Sequence, residues 1–294
     1  MNTPVDLVFA ANDVVGESAV WDARRQTLFW VDIIGRRLRA LRADGSVKNW
    51  DMPEIVTSVG LCRDDRVILG LRKSVVLWDF ENAPQLVALV EPDIPETRLN
   101  EGGVGPDGAY WVGTMQDNIG PDDAPKDITA ALGRLWRVTP SGAVQSLSED
   151  RFGITNTLIW TDTDRLVTAD TLENVIYSYA VRDGNLSDRR VLQTGFARGL
   201  PDGSCRDRDG FVWNCRVVGG GCVIRIAPDG TIDRVIDLPC SWPTSCTFGG
   251  PELDQLYVTS ARFTMSTDHI ARTPQEGGLF RVDPGCQGVP AHRF

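Results

Sequence analysis

GESAVWDARRQTLFWVD, residues 16–32, decides how this chain folds. A short stretch with small and apolar residues enters a polar turn at Asp22–Gln26, and the chain leaves it through Leu28-Phe29-Trp30-Val31, a run of the aromatic and β-branched residues that suit a pleated sheet. The same order of strand, turn and apolar strand returns in VTSVGLCRDDRVILGL (56–71), LNEGGVGPDGAYWVG (99–113), TNTLIWTDTDRLVTAD (155–170), PDGSCRDRDGFVWNC (201–215) and PTSCTFGGPELDQLYVTS (243–260). Successive starts lie about 40 to 56 residues apart, the period of propeller blades. Helical periodicity is hard to find anywhere. Further strand-like runs, such as GRLWRVTPSGAVQSL and CVIRIAPDGTIDRVIDL, give each unit four strands. The expectation is an all-β, six-bladed β-propeller with four-stranded antiparallel blades around a central channel, one domain over residues 1–294. The alternating VDLVFAA near the N-terminus is placed to complete the last repeat and close the ring, which removes an exposed sheet edge.

Composition narrows the function. No apolar run approaches the roughly 20 residues a membrane span requires, so no membrane partner is expected. The opening MNTPVDLVFAANDVV lacks a basic start followed by an apolar core, which predicts a cytoplasmic protein. Seven cysteines without a C-x-x-C spacing read as reduced, mostly buried thiols. A net charge of −10 argues against a nucleic-acid surface. It leaves room for an anionic substrate, because a local Arg outweighs distant charge once screening acts within about 8 Å.

Alignment of the repeats turns the fold into chemistry. Counting back from the apolar strands makes Glu17, Thr57, Asn100, Asn156, Asp202 and Thr244 equivalent, each at the start of its blade's first strand. In a propeller that strand lines the channel, so six polar side chains should converge at one end of the axis. Two acids and two amides together favour a cation. Oxygens from Glu17, Asn156 and Asp202 suit calcium, magnesium or manganese, with zinc or iron(II) reachable through the carboxylates.

The motifs GESAVW with FWVDI, RLN (98–100), WVGTM (111–115), TN (155–156), PDG (201–203) and YVTSAR (257–262), in this order and spacing, resemble the senescence marker protein, gluconolactonase and regucalcin-like family of propeller lactonases. The resemblance implies that Glu17, Asn156 and Asp202 bind one divalent metal ion and that Asp202 also acts as general base or acid. It further implies that Arg98 and Asn100, two apart and so on one strand face, contact substrate oxygens. Glu101 follows where an Asp is usual, which bears on substrate preference, and Ser18 stands where Gly-Pro is common. The implied substrate is a small sugar lactone, opened to the sugar acid. A divalent cation polarises the lactone carbonyl and acidifies nearby water, while Asp202 handles the proton.

Other signals carry less. Gly103-x-Gly105-x-x-Gly108 matches a dinucleotide fingerprint, yet it joins two strands and opens no helix. His269 and His292 are the only histidines, too few for a multi-histidine zinc site. Two long segments, QDNIGPDDAPKDITAAL and RFTMSTDHIARTPQEG, should overhang the metal and offer Asp117, Arg262 or His269 to the pocket. Competing readings are a propeller hydrolase of aryl esters or organophosphates, which expects a more apolar pocket, and a non-catalytic ligand-binding propeller, which has no need of the Glu, Asn and Asp. Oligomeric state, ring size and the native metal stay open.

Overall fold

Six four-stranded antiparallel sheets make up the computed structural model, which describes residues 4–294. The innermost strands are Gly16–Asp22, Val56–Leu61, Thr97–Val104, Thr155–Asp162, Leu200–Arg206 and Pro243–Gly249, one per blade in chain order. Blades one to five run outward in sequence order. Blade six differs, because its outermost strand is Val5–Phe9 paired with Leu279–Val282, with Val5 opposite Val282 and Leu7 opposite Phe280. The first strand of the chain therefore closes the ring as its alternation predicts.

Burial follows position in the blade. Second strands such as Thr27–Asp32 are buried at every residue, whereas outer strands such as Asn185–Thr194 are largely exposed. The core lies between blades, and tryptophans bridge it. Trp111 of blade three meets Trp160 of blade four edge-on at 5.3 Å, Trp213 of blade five meets Phe248 of blade six at 5.9 Å, and Trp21 of blade one stacks on Tyr257 of blade six at 5.9 Å. A buried indole N–H needs an acceptor. Loop aspartates supply it in three blades, where Trp30 donates to Asp13, Trp111 to Asp107 and Trp213 to Asp207, at 2.9, 3.2 and 3.0 Å, whereas the Trp21 and Trp160 indoles have no acceptor among the described residues.

One irregularity repeats in all six inner strands. Pairing with the second strand slips between Glu17 and Val20, Val56 and Ser58, Leu99 and Gly102, Asn156 and Ile159, Pro201 and Ser204, and Pro243 and Cys246. A bulge adds twist and re-aims the side chain beside it. Ser18 and Thr157, following Glu17 and Asn156, accordingly take left-handed φ values of 53° and 56°. At Gly203 the reason for glycine is space: a Cβ there would lie 2.9 Å from Ser245 Cα, Ser245 Cβ and the Thr244 carbonyl oxygen.

The glycines of the apparent dinucleotide motif occupy the end of Thr97–Val104 and the turn into Tyr110–Gln116. Among the described residues the one helix is Thr267–Arg272, and no helix is long and apolar enough to cross a membrane.

Candidate metal centre

A cavity of about 430 Å³ opens at the end of the channel where the inner strands begin. Glu17, Asn100, Asn156, Asp202 and Thr244 line it, as the repeat alignment requires, together with Arg98. Thr57 does not. In its blade pairing resumes at Ser58, one residue sooner after the slip than in blades three, five and six, and the Thr57 hydroxyl donates to the Gly70 carbonyl at 3.2 Å.

The floor is held by a continuous set of hydrogen bonds. Arg98 donates from Nη1 to the Leu99 carbonyl and to Asn100 Oδ1, both at 2.8 Å. Its Nε and Nη2 donate to Asn118 Oδ1 at 3.2 and 2.9 Å. Asn100 then spends both N–H groups, on the Thr155 carbonyl at 2.9 Å and on Asn156 Oδ1 at 3.2 Å. Asn156 Nδ2 donates to Thr171 Oγ1 at 2.8 Å, and Thr171 in turn donates to the Pro201 carbonyl at 2.8 Å, next to Asp202. Because the Thr171 proton is committed, its oxygen must accept, which fixes the Asn156 amide and leaves Oδ1 a spare lone pair. Arg98 keeps one unspent N–H and Asn100 none.

Glu17 and Asp202 are buried, with their carboxyl groups within hydrogen-bonding reach of one another. Burial first, and then the charges of Asp202 and Glu101, push Glu17 well above the carboxylate range. Asp202 is likewise raised by burial and by Glu101. Burial also lowers Arg98 to about 10. Arg216 hydrogen-bonds uncharged groups, Asn174, Asn214 and the Arg198 and Gly199 carbonyls, so its charge is retained and lowers Asp202 through space, a smaller effect than burial. Two buried carboxyl groups within hydrogen-bonding reach, beside an amide oxygen with a free lone pair, offer the hard oxygen donors that suit a divalent cation. Among the described residues no cluster of three or more His, Cys, Asp or Glu side chains is placed to hold a metal.

Glu101 sits elsewhere. It lines a second cavity of about 150 Å³ farther down the channel, below the floor, where its carboxylate accepts the Gly102 N–H at 3.1 Å. The expected contact with substrate is corrected accordingly. Burial pushes Glu101 up to about 7. The two long segments do reach the upper cavity, through Asn118, Ile119, Lys126 and Phe263. Asp117 turns back to pair with Arg72, Arg262 reaches toward Asn12 at 3.5 Å, and His269 bonds Glu276 at 3.0 Å. None of these loop residues lies in a repeat, so periodicity does not reveal them.

A closed six-bladed propeller with two buried carboxyl groups and ordered amides on the floor of an axial cavity has a pocket suited to a small polar ligand. The chain belongs, more particularly, to the SMP-30/Gluconolactonase/LRE-like family, whose model matches residues 15–262. It is 34% identical over 295 residues to a 6-deoxy-6-sulfogluconolactonase of Pseudomonas putida, covering 97% of this chain and 98% of that one. It is 33% identical to an L-arabinolactonase of Azospirillum brasilense, covering 98% and 94%. Among solved structures, a calcium-binding regucalcin of Agrobacterium tumefaciens superposes with a TM-score of 0.88 at 26% identity, covering 100% and 99%. The enzymes among these relatives are lactonases.

Proposed function

We propose that this protein hydrolyses a small sugar lactone with one divalent metal ion held by Glu17, Asn156 and Asp202. The observation that carries the reading is the pair of buried carboxyl groups, Glu17 and Asp202, within hydrogen-bonding reach of one another beside Asn156 on the floor of the cavity of about 430 Å³. The lactonases among the relatives support the reaction class.

When bound, the cation would polarise the lactone carbonyl and lower the barrier to water attack. The remaining work falls to the chain. Asp202, which would help hold the cation, is also the group placed to take a proton from the attacking water. Water adds to the acyl carbon, the ring C–O bond breaks, and the departing ring oxygen recovers the proton. Arg98 holds Asn100 and Asn118 in place and offers its one free N–H to substrate. The fixed amide of Asn156 keeps the floor from reorganising as charge develops. All seven cysteines are free thiols, which suits a reducing cytoplasm.

Chelation should abolish hydrolysis of glucono-δ-lactone, and a divalent ion drawn from calcium, manganese, magnesium, zinc and iron(II) should restore it. Full activity in metal-stripped protein would overturn the metal assignment.

A further inference from the structure

The walls of the upper cavity differ from its floor. Above the carboxylates and amides, the rim carries Ile34, Ile128, Leu172, Val218, Trp242 and Phe263, with Lys126 and Asp127 confined to the blade-three loop. Leu172 and Val218 are respectively 50% and 51% exposed, and they stand on equivalent turns of neighbouring blades, after the strands Arg165–Asp170 and Val212–Val217. Scattered exposed aliphatics are ordinary on a surface. Here they adjoin at the mouth of one cavity.

Backbone geometry adds a second observation. Only three β-branched residues among those described have a left-handed φ, namely Thr157 (56°), Val218 (55°) and Thr264 (63°). Thr157 follows the floor residue Asn156, while Val218 and Thr264 line the cavity. A β-branched side chain is strained in this region, where glycine is not. Val218 is followed directly by Gly219, Gly220 and Gly221, so the strain falls on the one residue of that turn that presents an isopropyl group to the cavity. Strained residues of this kind concentrate where a ligand is held.

A fully hydroxylated lactone makes poor use of such a rim. Its ring hydroxyls find donors and acceptors near the floor, but a hydroxylated arm lying on Leu172, Val218 and Trp242 would lose water without gaining a partner. We propose that the preferred substrates are lactones whose ring sits over the polar floor and whose exocyclic arm is apolar, a methyl or longer alkyl group seated on Leu172, Val218 and Trp242. This rests on the lactonase reading and narrows its substrate class.

The test is kcat/KM for γ-butyrolactone, γ-valerolactone, γ-hexalactone and γ-octalactone, with glucono-δ-lactone as reference, at a saturating concentration of the divalent metal that restores activity. The value should rise about fourfold per added methylene while the arm remains on the rim. Val218→Asn accepts the left-handed backbone but makes the seat polar, and Leu172→Asn does the same on the neighbouring blade. Either change should flatten the series. Val191→Asn, at a 58% exposed position on the outer strand of blade four, should leave it intact. A flat series in wild-type protein that hydrolyses glucono-δ-lactone would overturn the inference and spare the lactonase reading. A slope that survives in both rim variants would also overturn it. Absence of hydrolysis of every lactone with every divalent ion would refute the lactonase reading and this inference together.

Discussion

Gly203→Ala tests whether close packing of two inner strands sets the position of Asp202. The added methyl would stand 2.9 Å from each of three atoms, against an ordinary contact of at least 3.4 Å. Two of the three, Ser245 Cα and the Thr244 carbonyl oxygen, belong to the backbone, so no rotamer change relieves the crowding. The inner strands of blades five and six must separate by about 0.5 Å, or Asp202 must move. Overpacking of this kind costs about 1–3 kcal/mol. At about 2–4 °C per kcal/mol for chains of 150–250 residues, Tm falls by several degrees. The effect on turnover should be larger in proportion, because a displacement near 1 Å of a reacting group costs about 10²-fold. Gly103→Ala is the control, since a Cβ there meets nothing nearer than the Leu158 carbonyl oxygen at 3.4 Å. Thermal melts and lactone hydrolysis at saturating metal report both consequences. A Gly203→Ala protein with the Tm and turnover of the Gly103→Ala control would refute the packing argument.

Asp202→Asn, assayed with its metal site filled, should lose about 10²- to 10⁴-fold in kcat, and near-native turnover would make Asp202 a ligand only. Arg98→Ala should reduce kcat/KM about tenfold or more, chiefly through KM, because it orphans Asn100 and Asn118. Arg98→Lys should not rescue it, as an ammonium cannot reproduce the fork, and recovery with Lys would reduce the role to charge. Removal of residues 1–9 deletes the strand that pairs with Leu279–Val282, and should lower Tm and promote association through the bared edge. An unchanged melt with a monomeric elution profile would show that closure is dispensable.

Much of this molecule is written in its repeats. A common offset from ring residue to second strand locates Asn100, Asn156 and Asp202, and allowance for a longer turn locates Glu17 and Thr244, because strand pairing carries the register across each turn. Thr57 keeps the common offset yet misses the cavity, in the blade where pairing resumes one residue sooner after the slip. Glu101 was readable from strand alternation alone: if Arg98 and Asn100 share a face, the next residue faces away from it. Its assignment to substrate followed motif adjacency and not geometry. The contributions of Asn118, Lys126 and Phe263 come from irregular loops, whose paths depend on what they pack against and leave no period to read. The apolar rim is visible in the sequence only as aliphatics in blade turns, where they look like any loop residue until their shared cavity is seen.

Closure by Val5–Phe9 also bears on how the chain is made. Val5–Phe9 leaves the ribosome some 270 residues before its partner Leu279–Val282. At about 5–20 residues per second, that interval is on the order of tens of seconds. Throughout it, a short apolar strand stands bare in a crowded cell. Asp6 interrupts that strand with a charge, and once the ring closes it pairs with Arg281 at 2.9 Å. A charge within an apolar strand is the kind of residue that discourages edge-to-edge association.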